Sequence, residues 1–203
     1  MPIWQICVLS VLALCLVFSA LSLTDARQHL SALFSQQERN RLAYEREVSR
    51  HQVKYREWIE YYAAVNQLDP AFVAAIIKTE SDYVPTARSN KDARGLMQFM
   101  PDTYAWIAPK FDLPADDFLA VNDPETAIKM GCWLLNYITK QFNGDPVLTA
   151  CAYHAGWGNV EGWIEKYSTD GKTLTFDQIP YENTRNYARK VLNSYAIYQQ
   201  HYY

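Results

Sequence analysis

The chain has 203 residues, with 19 Lys and Arg against 22 Asp and Glu and a formal net charge of −3. Its 49% hydrophobic and 20% charged content excludes a disordered chain. The mild acidity lacks the basic footprint of a nucleic-acid binder, so no nucleic-acid partner is expected. Punctuation is uneven: after Pro2 no Gly or Pro appears until Pro70, and all seven Gly fall between Gly95 and Gly171. The front third is free of the two strongest helix breakers, and the rest carries them.

Residues 1–25 read as a membrane anchor. From Ile3 to Leu23 the only polar residues are Gln5 and three Ser, and the first charged side chain is Asp25. About 20 apolar residues suffice for a helix to cross a bilayer core. A secretory signal peptide is the rival reading, but it normally starts basic and has a shorter apolar core. Length favours the uncleaved anchor. No basic side chain precedes Arg27, whereas Arg27, Arg39 and Arg41 follow the apolar run. Taken alone, that charge bias leans towards a cytoplasmic C-terminal side.

Residues 26–54 are polar, charged and free of breakers, and between Asp25 and Glu60 seven Lys/Arg face six Asp/Glu. Leu30, Leu33 and Phe34 form a short stripe that no heptad repeat sustains. This segment reads as a solvated helical stalk; about 30 helical residues reach roughly 45 Å.

Residues 55–203 form the expected globular domain, all-α and large enough for one core. Tyr55, Trp58, Ile59, Tyr62 and Val65 share a helical face. Asp69-Pro70, Asp123-Pro124 and Asp145-Pro146 are three helix starts, each an N-cap Asp followed by Pro at the first helical position. After the second comes a long stripe, Ala127, Ile128, Gly131, Leu134, Leu135, Ile138 and Phe142, closed by Gly144. Residues 159–167 make a short amphipathic helix, and Tyr187, Val191, Leu192, Tyr195 and Tyr198 mark the last one. Strand alternation is absent.

Glu80 ends an apolar helical face that includes Val73, Ile76 and Ile77. A carboxyl there is partly desolvated, which favours its protonated form and suits a general acid. Position alone leaves open a surface Glu at a frayed helix end. The four His, at 29, 51, 154 and 201, lack metal-ligand spacing. No metal or cofactor is expected. Cys132 and Cys151 lie on two apolar helices and read as buried free thiols rather than a disulfide.

Around Glu80 a set of motifs follows in order: Glu80-Ser81, Ser89, Gly95-Leu96-Met97-Gln98-Phe99-Met100-Pro101, Ala152-Tyr153-His154-Ala155-Gly156, Ile179-Pro180-Tyr181, then Thr184-Arg185 and Tyr187. This arrangement resembles the lytic murein transglycosylases with a soluble-lytic-transglycosylase (SLT) type domain, relatives of goose-type lysozyme, over roughly residues 55–200. The resemblance implies a lysozyme-like helical fold with Glu80 as the single catalytic acid/base. It further implies Ser89, Gln98 and Met97 along the sugar cleft, and Tyr153 pointing at the reacting centre. Two positions depart from the family pattern. His154 stands where Asn is usual. Asn183 stands where a Glu usually precedes Thr-Arg, with Glu182 one step earlier. Neighbours on a helix project about 100° apart, so Glu182 is a displaced substitute at best.

The implied reaction cleaves the β-1,4 bond between N-acetylmuramic acid and N-acetylglucosamine in peptidoglycan and leaves a 1,6-anhydromuramyl end. The alternatives are a lysozyme-type hydrolase, whose second carboxylate would have to be Asp82, Asp92 or Asp102, and a non-catalytic wall-binding or assembly module. Peptidoglycan lies beyond the cytoplasmic membrane, so the implied activity places the domain outside, against the sparse charge bias. Tyr83, Tyr104, Trp106 and Trp157 are aromatics with flat faces for sugar rings, more of them expected in the core than in the cleft.

Overall fold

The structure, a computed structural model, describes residues 3–203, with side chains from residue 23 onward. It divides into two compact units, one ending at Arg50 and one spanning His51–Tyr203.

The first unit is a single helix, α1 (Ile3–Ser49). Its described side chains are almost all exposed, including Leu30, Leu33 and Phe34. Arg41 pairs with Glu38 and Glu45 one turn away on either side, a solvent-facing arrangement that supports helix without needing a partner surface. The expected anchor, residues 1–25, lies outside the described side chains except for residues 23–25. Among the described residues no helix is long and apolar enough to cross a membrane.

The second unit is built from seven α-helices: α2 (Arg56–Val65), α3 (Pro70–Ser81), α4 (Pro101–Ile107), α5 (Pro124–Gln141), α6 (Pro146–Ala155), α7 (Trp157–Tyr167) and α8 (Glu182–His201), with three short 3-10 turns between them. Two isolated β-bridges, Arg88 with Arg94 and Arg94 with Phe99, tie the loop after α3. The unit takes in His51, whose imidazole is buried and lies 3.1 Å from the Ser194 hydroxyl of α8.

All three Asp-Pro starts cap as their chemistry dictates. Asp69 accepts from the Ala71 N–H at 2.9 Å, Asp123 from Thr126 at 2.9 Å, and Asp145 from Val147 and Leu148 at 2.8 and 2.9 Å. The stripe predicted on α5 is buried along its whole length, from Ala127 to Phe142. Gly144 closes that helix at φ 82°, its N–H donating to Thr139. On α2 the face is narrower than expected: Ile59 and Ala63 are buried, but Val65 is 61% exposed. Val65 follows Ile59 by six residues, roughly 240° around the helix. The short α4 escaped the periodicity reading because seven residues are too few to display a repeat.

The core forms where α3 packs against α8 and α2, and where α6 packs against α5, α7 and α8. Tyr83 and Tyr104 belong to it, 2% and 0% exposed. Cys132 and Cys151 are buried free thiols, and burial pushes both up, the latter to about 12, so neither ionises near neutrality.

Asp69 does more than cap. Its second carboxylate oxygen accepts from Tyr195 at 2.7 Å and Gln199 at 3.0 Å, joining the start of α3 to α8. Replacing Asp123 by Ala should cost about 1 kcal/mol in urea unfolding, the usual value of a cap. Asp69→Ala should cost more, roughly 2 kcal/mol, because two tertiary hydrogen bonds go with it.

Candidate active site

The site begins with a helix that is buried until its last turn. Ala71 through Ile77 of α3 are all buried, and only from Lys78 does the helix reach the surface. The helix then stops abruptly, because Asp82 and Tyr83 adopt φ 50° and 61°. Glu80 is thereby held half-buried at the helix terminus, at one end of an apolar rod.

Across from it stands α8. The Tyr187 hydroxyl donates to Glu80 Oε1 at 2.7 Å. Burial pushes the Glu80 carboxyl up to about 7, outweighing the opposing effect of that hydrogen bond. The negative end of the α3 dipole acts in the same direction as burial. Tyr187 and Tyr153 are pushed far above the ordinary phenol range by burial and then by the nearby Glu80 charge, so both remain neutral hydroxyl donors.

The loop after α3 supplies the facing wall. Arg94 and Phe99 exchange backbone hydrogen bonds at 2.9 Å, pinching the four residues between them into a tight turn. Gly95 takes φ 80° there, and a Cβ on it would sit 2.1 Å from the Val121 carbonyl oxygen. Both facts require glycine. Gln98 takes φ 47°, and its Nε2 donates to the Ala87 and Gly95 carbonyls at 3.1 Å each. The Ser81 hydroxyl donates to Leu96 O at 2.8 Å, and the Tyr153 hydroxyl to Met97 O at 2.7 Å. The turn is thus tied to α3 on one side of Glu80 and to α6 on the other.

These elements enclose a cleft of about 440 Å³. Of the residues singled out from the sequence, Glu80, Ser89, Gln98 and Tyr153 all line it. Ser89 also accepts from the Lys91 and Ala93 N–H groups at 3.2 and 3.0 Å, so its hydroxyl shapes the turn as well as facing the cleft. Met97 stands differently. Its side chain is fully buried, with its sulfur against Gly131 of α5, where a Cβ would come within 1.9 Å. It reaches the site only through the carbonyl that Tyr153 holds. Glu182 is exposed at the first position of α8, and the cleft surface there is formed by Asn183 and Thr184. One residue of helix turns the Glu182 side chain to another direction.

His154 lines the cleft beside Thr184, its Nδ1 3.2 Å from the Thr184 hydroxyl and its ring 4.6 Å from that of Tyr187. Burial, reinforced by Lys91, lowers its pKa, which favours the neutral imidazole. Lys91 and Asn159 are cleft residues that the sequence reading passed over, since nothing in their local pattern distinguishes them from surface residues; Met100, quoted there only within a motif, lines the cleft as well. Among the described residues that line the cleft, Glu80 is the one carboxylate. Asp82 pairs with Lys78, Asp92 with Arg88 and Arg94, and Asp102 is exposed on α4.

A carboxyl-resolved NMR titration should therefore find Glu80 titrating near pH 7. Tyr187→Phe removes the hydrogen bond that favours the charged form, so the Glu80 midpoint should move further up. A midpoint unchanged or lowered in that variant would show the Tyr187 contact to be electrostatically idle.

Comparison with known proteins shows which family the chain resembles. The profile of the transglycosylase SLT domain matches residues 57–176. The soluble lytic murein transglycosylase of Escherichia coli K12 is 30% identical over 152 residues, 74% of this chain and 24% of the relative. Membrane-bound lytic murein transglycosylase D of the same organism is 29% identical over 114 residues, covering 56% and 25%. Among solved structures, the 70 kDa soluble lytic transglycosylase of E. coli superposes with a TM-score of 0.68 at 30% identity, covering 73% of this chain and 24% of that one. An inactive Glu-to-Gln mutant of lytic transglycosylase Slt from Pseudomonas aeruginosa superposes at 0.64 with 32% identity, covering 72% and 24%. The chain spans about a quarter of the length of these relatives. The matched profile covers more than half of the chain and contains Glu80, the pinched turn and Tyr153: this chain belongs to the transglycosylase SLT domain family.

Proposed function

We propose that the protein is a lytic transglycosylase that cleaves the β-1,4 bond between N-acetylmuramic acid and N-acetylglucosamine in peptidoglycan, with Glu80 as its single acid/base. The observation that carries this reading is a lone carboxyl in the cleft, at the end of a buried helix, that burial pushes up to about 7. Ordinary glycosidases need two carboxylates, one as acid and one as nucleophile or base. A reaction whose nucleophile belongs to the substrate needs one.

Glu80 Oε1 accepts from Tyr187, so Oε2 is the oxygen left to carry the proton. It passes that proton to the glycosidic oxygen as the bond to the anomeric carbon breaks. The substrate's N-acetyl group stabilises the positive charge developing at that carbon. Glu80, now a carboxylate, takes the proton of the muramyl 6-hydroxyl, whose oxygen closes on the anomeric carbon. The acid is regenerated, no water is consumed, and the product ends in a 1,6-anhydro ring. The intramolecular attack carries the usual proximity advantage. Ser89, Gln98 and Tyr153 are proposed to contact the sugars; Met97 supports the site from beneath.

The single-carboxylate cleft weighs against a lysozyme-type hydrolase, since Asp82, Asp92 and Asp102 are engaged in ion pairs or face solvent. The raised pKa of Glu80 weighs against a non-catalytic wall-binding module, for which a desolvated acid has no use. The family includes proteins named as membrane-bound. With the apolar run 3–23, that supports an anchored protein with an extracytoplasmic domain; the helix of the stalk ends at Ser49, short of the expected residue 54.

Mass spectrometry of purified murein digested with the full chain should find anhydromuropeptides; reducing ends in their place would assign hydrolysis instead. Glu80→Gln should lower release by about 10²–10⁴-fold. The activity of the intact protein should fall as pH rises through about 7, where Glu80 loses its proton. The same shift has a stability signature. A carboxyl raised in the folded state contributes stability that is complete below its unfolded value of 4.5 and is lost as pH rises through about 7. Glu80→Gln should therefore melt several degrees above the parent at pH 8 and close to it at pH 4. A lower melting temperature at pH 8 would contradict the dry environment assigned to Glu80.

A further inference from the structure

Helix α5 carries a second surface that the reaction above does not use. Trp133 and Tyr137 stand one turn apart with rings 13° from parallel and centroids 5.8 Å apart. Trp106 of α4 meets them edge-on at 5.6 and 5.4 Å. Trp157, the first residue of α7, lies 5.7 Å from both Trp106 and Tyr137. Four rings from three helices thus converge, yet none is buried and Trp106 is 38% exposed. Trp133, Tyr137 and Trp157 rest partly on the core and leave their remaining faces open to solvent.

The chemistry around these rings is specific. Trp133 and Tyr137 form part of a depression of about 360 Å³ whose remaining lining is Asn136, Lys140 and Gln141. The Lys110 ammonium stands 5.6 and 5.2 Å from the ring centres of Trp106 and Trp133. No carboxylate lines the depression, although the chain as a whole is acidic. Flat apolar faces edged by amides suit a pyranose, which offers C–H groups on one face and hydroxyl and acetamido groups at its rim. The ammonium groups suit an acidic polymer. The surface also adjoins the cleft: Trp157 lies between Ala155 and Asn159, both of which line it.

We propose that Trp106, Trp133, Tyr137 and Trp157 form a secondary saccharide platform that holds the murein strand where it continues beyond the cleft. Lys110 and Lys140 meet the carboxylates of its stem peptides. The platform rests on the reading of the cleft as murein-cleaving, because a polymer far longer than the cleft must leave it over a neighbouring surface. It would favour intact strands over short fragments by keeping a cut chain in place.

The test uses the full chain in detergent, carrying Glu80→Gln so that the strand survives, and measures co-sedimentation with purified sacculi. The double variant Trp133→Ala/Tyr137→Ala should bind five- to tenfold more weakly. Lys140→Glu should weaken binding to intact sacculi two- to threefold but not to sacculi stripped of stem peptides, and the same reversal at exposed Lys190 of α8 should change neither. A double variant that keeps its circular dichroism spectrum and binds within twofold of the parent overturns the platform and assigns the patch to protein contacts. If the double variant loses helicity, Lys140→Glu decides, and unaltered binding to intact sacculi overturns the proposal. The two readings fail separately. Absence of anhydromuropeptides from the parent, with sacculus binding still lost in the double variant, sinks the proposed reaction and leaves the platform standing.

Discussion

The hydrogen bond from Tyr187 to Glu80 is the contact on which the second unit's chemistry depends. It spans the interface of α3 and α8 and places a carboxyl where little water reaches it. A carboxylate in such a place is costly, and the cost appears as a proton retained to about pH 7. The phenol sets the balance: it orients the acid and moderates the shift without supplying a charge of its own. An Arg or Lys in its place would pull the proton off and leave a carboxylate unable to act as an acid at neutral pH.

The rest of the site is arranged around keeping that carboxyl fixed and half-dry. The turn at 95–98 is held from every direction, by Ser81 from α3, by Tyr153 from α6, and by its own Gln98 folded back on two carbonyls. Gly95 and Gly131 are the two places where backbone or sulfur comes too close for a side chain. A packed interior transmits displacement, so a shift at either glycine would move the wall opposite Glu80. Met97 belongs in this account as a wedge beneath the wall. His154 is fixed at the same edge: its ring lies on Tyr187 and its nitrogen meets Thr184.

The division of labour along the chain follows from the same physics. The described part of α1 holds itself by local pairs such as Arg41 with Glu38 and Glu45, which need no partner surface. The second unit depends on long-range contacts between α3, α6 and α8. Chemistry that requires a dry pocket is confined to the part of the chain that can exclude water.

Much of the architecture is legible in the amino-acid sequence. The three Asp-Pro starts, the stripe on α5, the helical character of residues 26–49 and the burial of both free thiols depend on nearest neighbours and on periodicity, and the sequence displays both directly. Glu80 was legible as a carboxyl at the end of an apolar helix, and the family resemblance followed from motifs in order. What tertiary structure alone decided is which side chains meet. Met97 and Gln98 are adjacent in the chain, yet one is core and the other lines the cleft, because a pinched turn with Gln98 at φ 47° separates them. Glu182 and Asn183 differ by one step, and one residue of helical rotation brings the second to the cleft and leaves the first in solvent. That Asp82 and Asp92 are held in ion pairs while Asp102 faces solvent, and that Tyr187 reaches Glu80 across 107 residues, are facts of packing. Local propensity is written residue by residue; the desolvation that raises Glu80 to about 7 exists only once α3 and α8 have packed together.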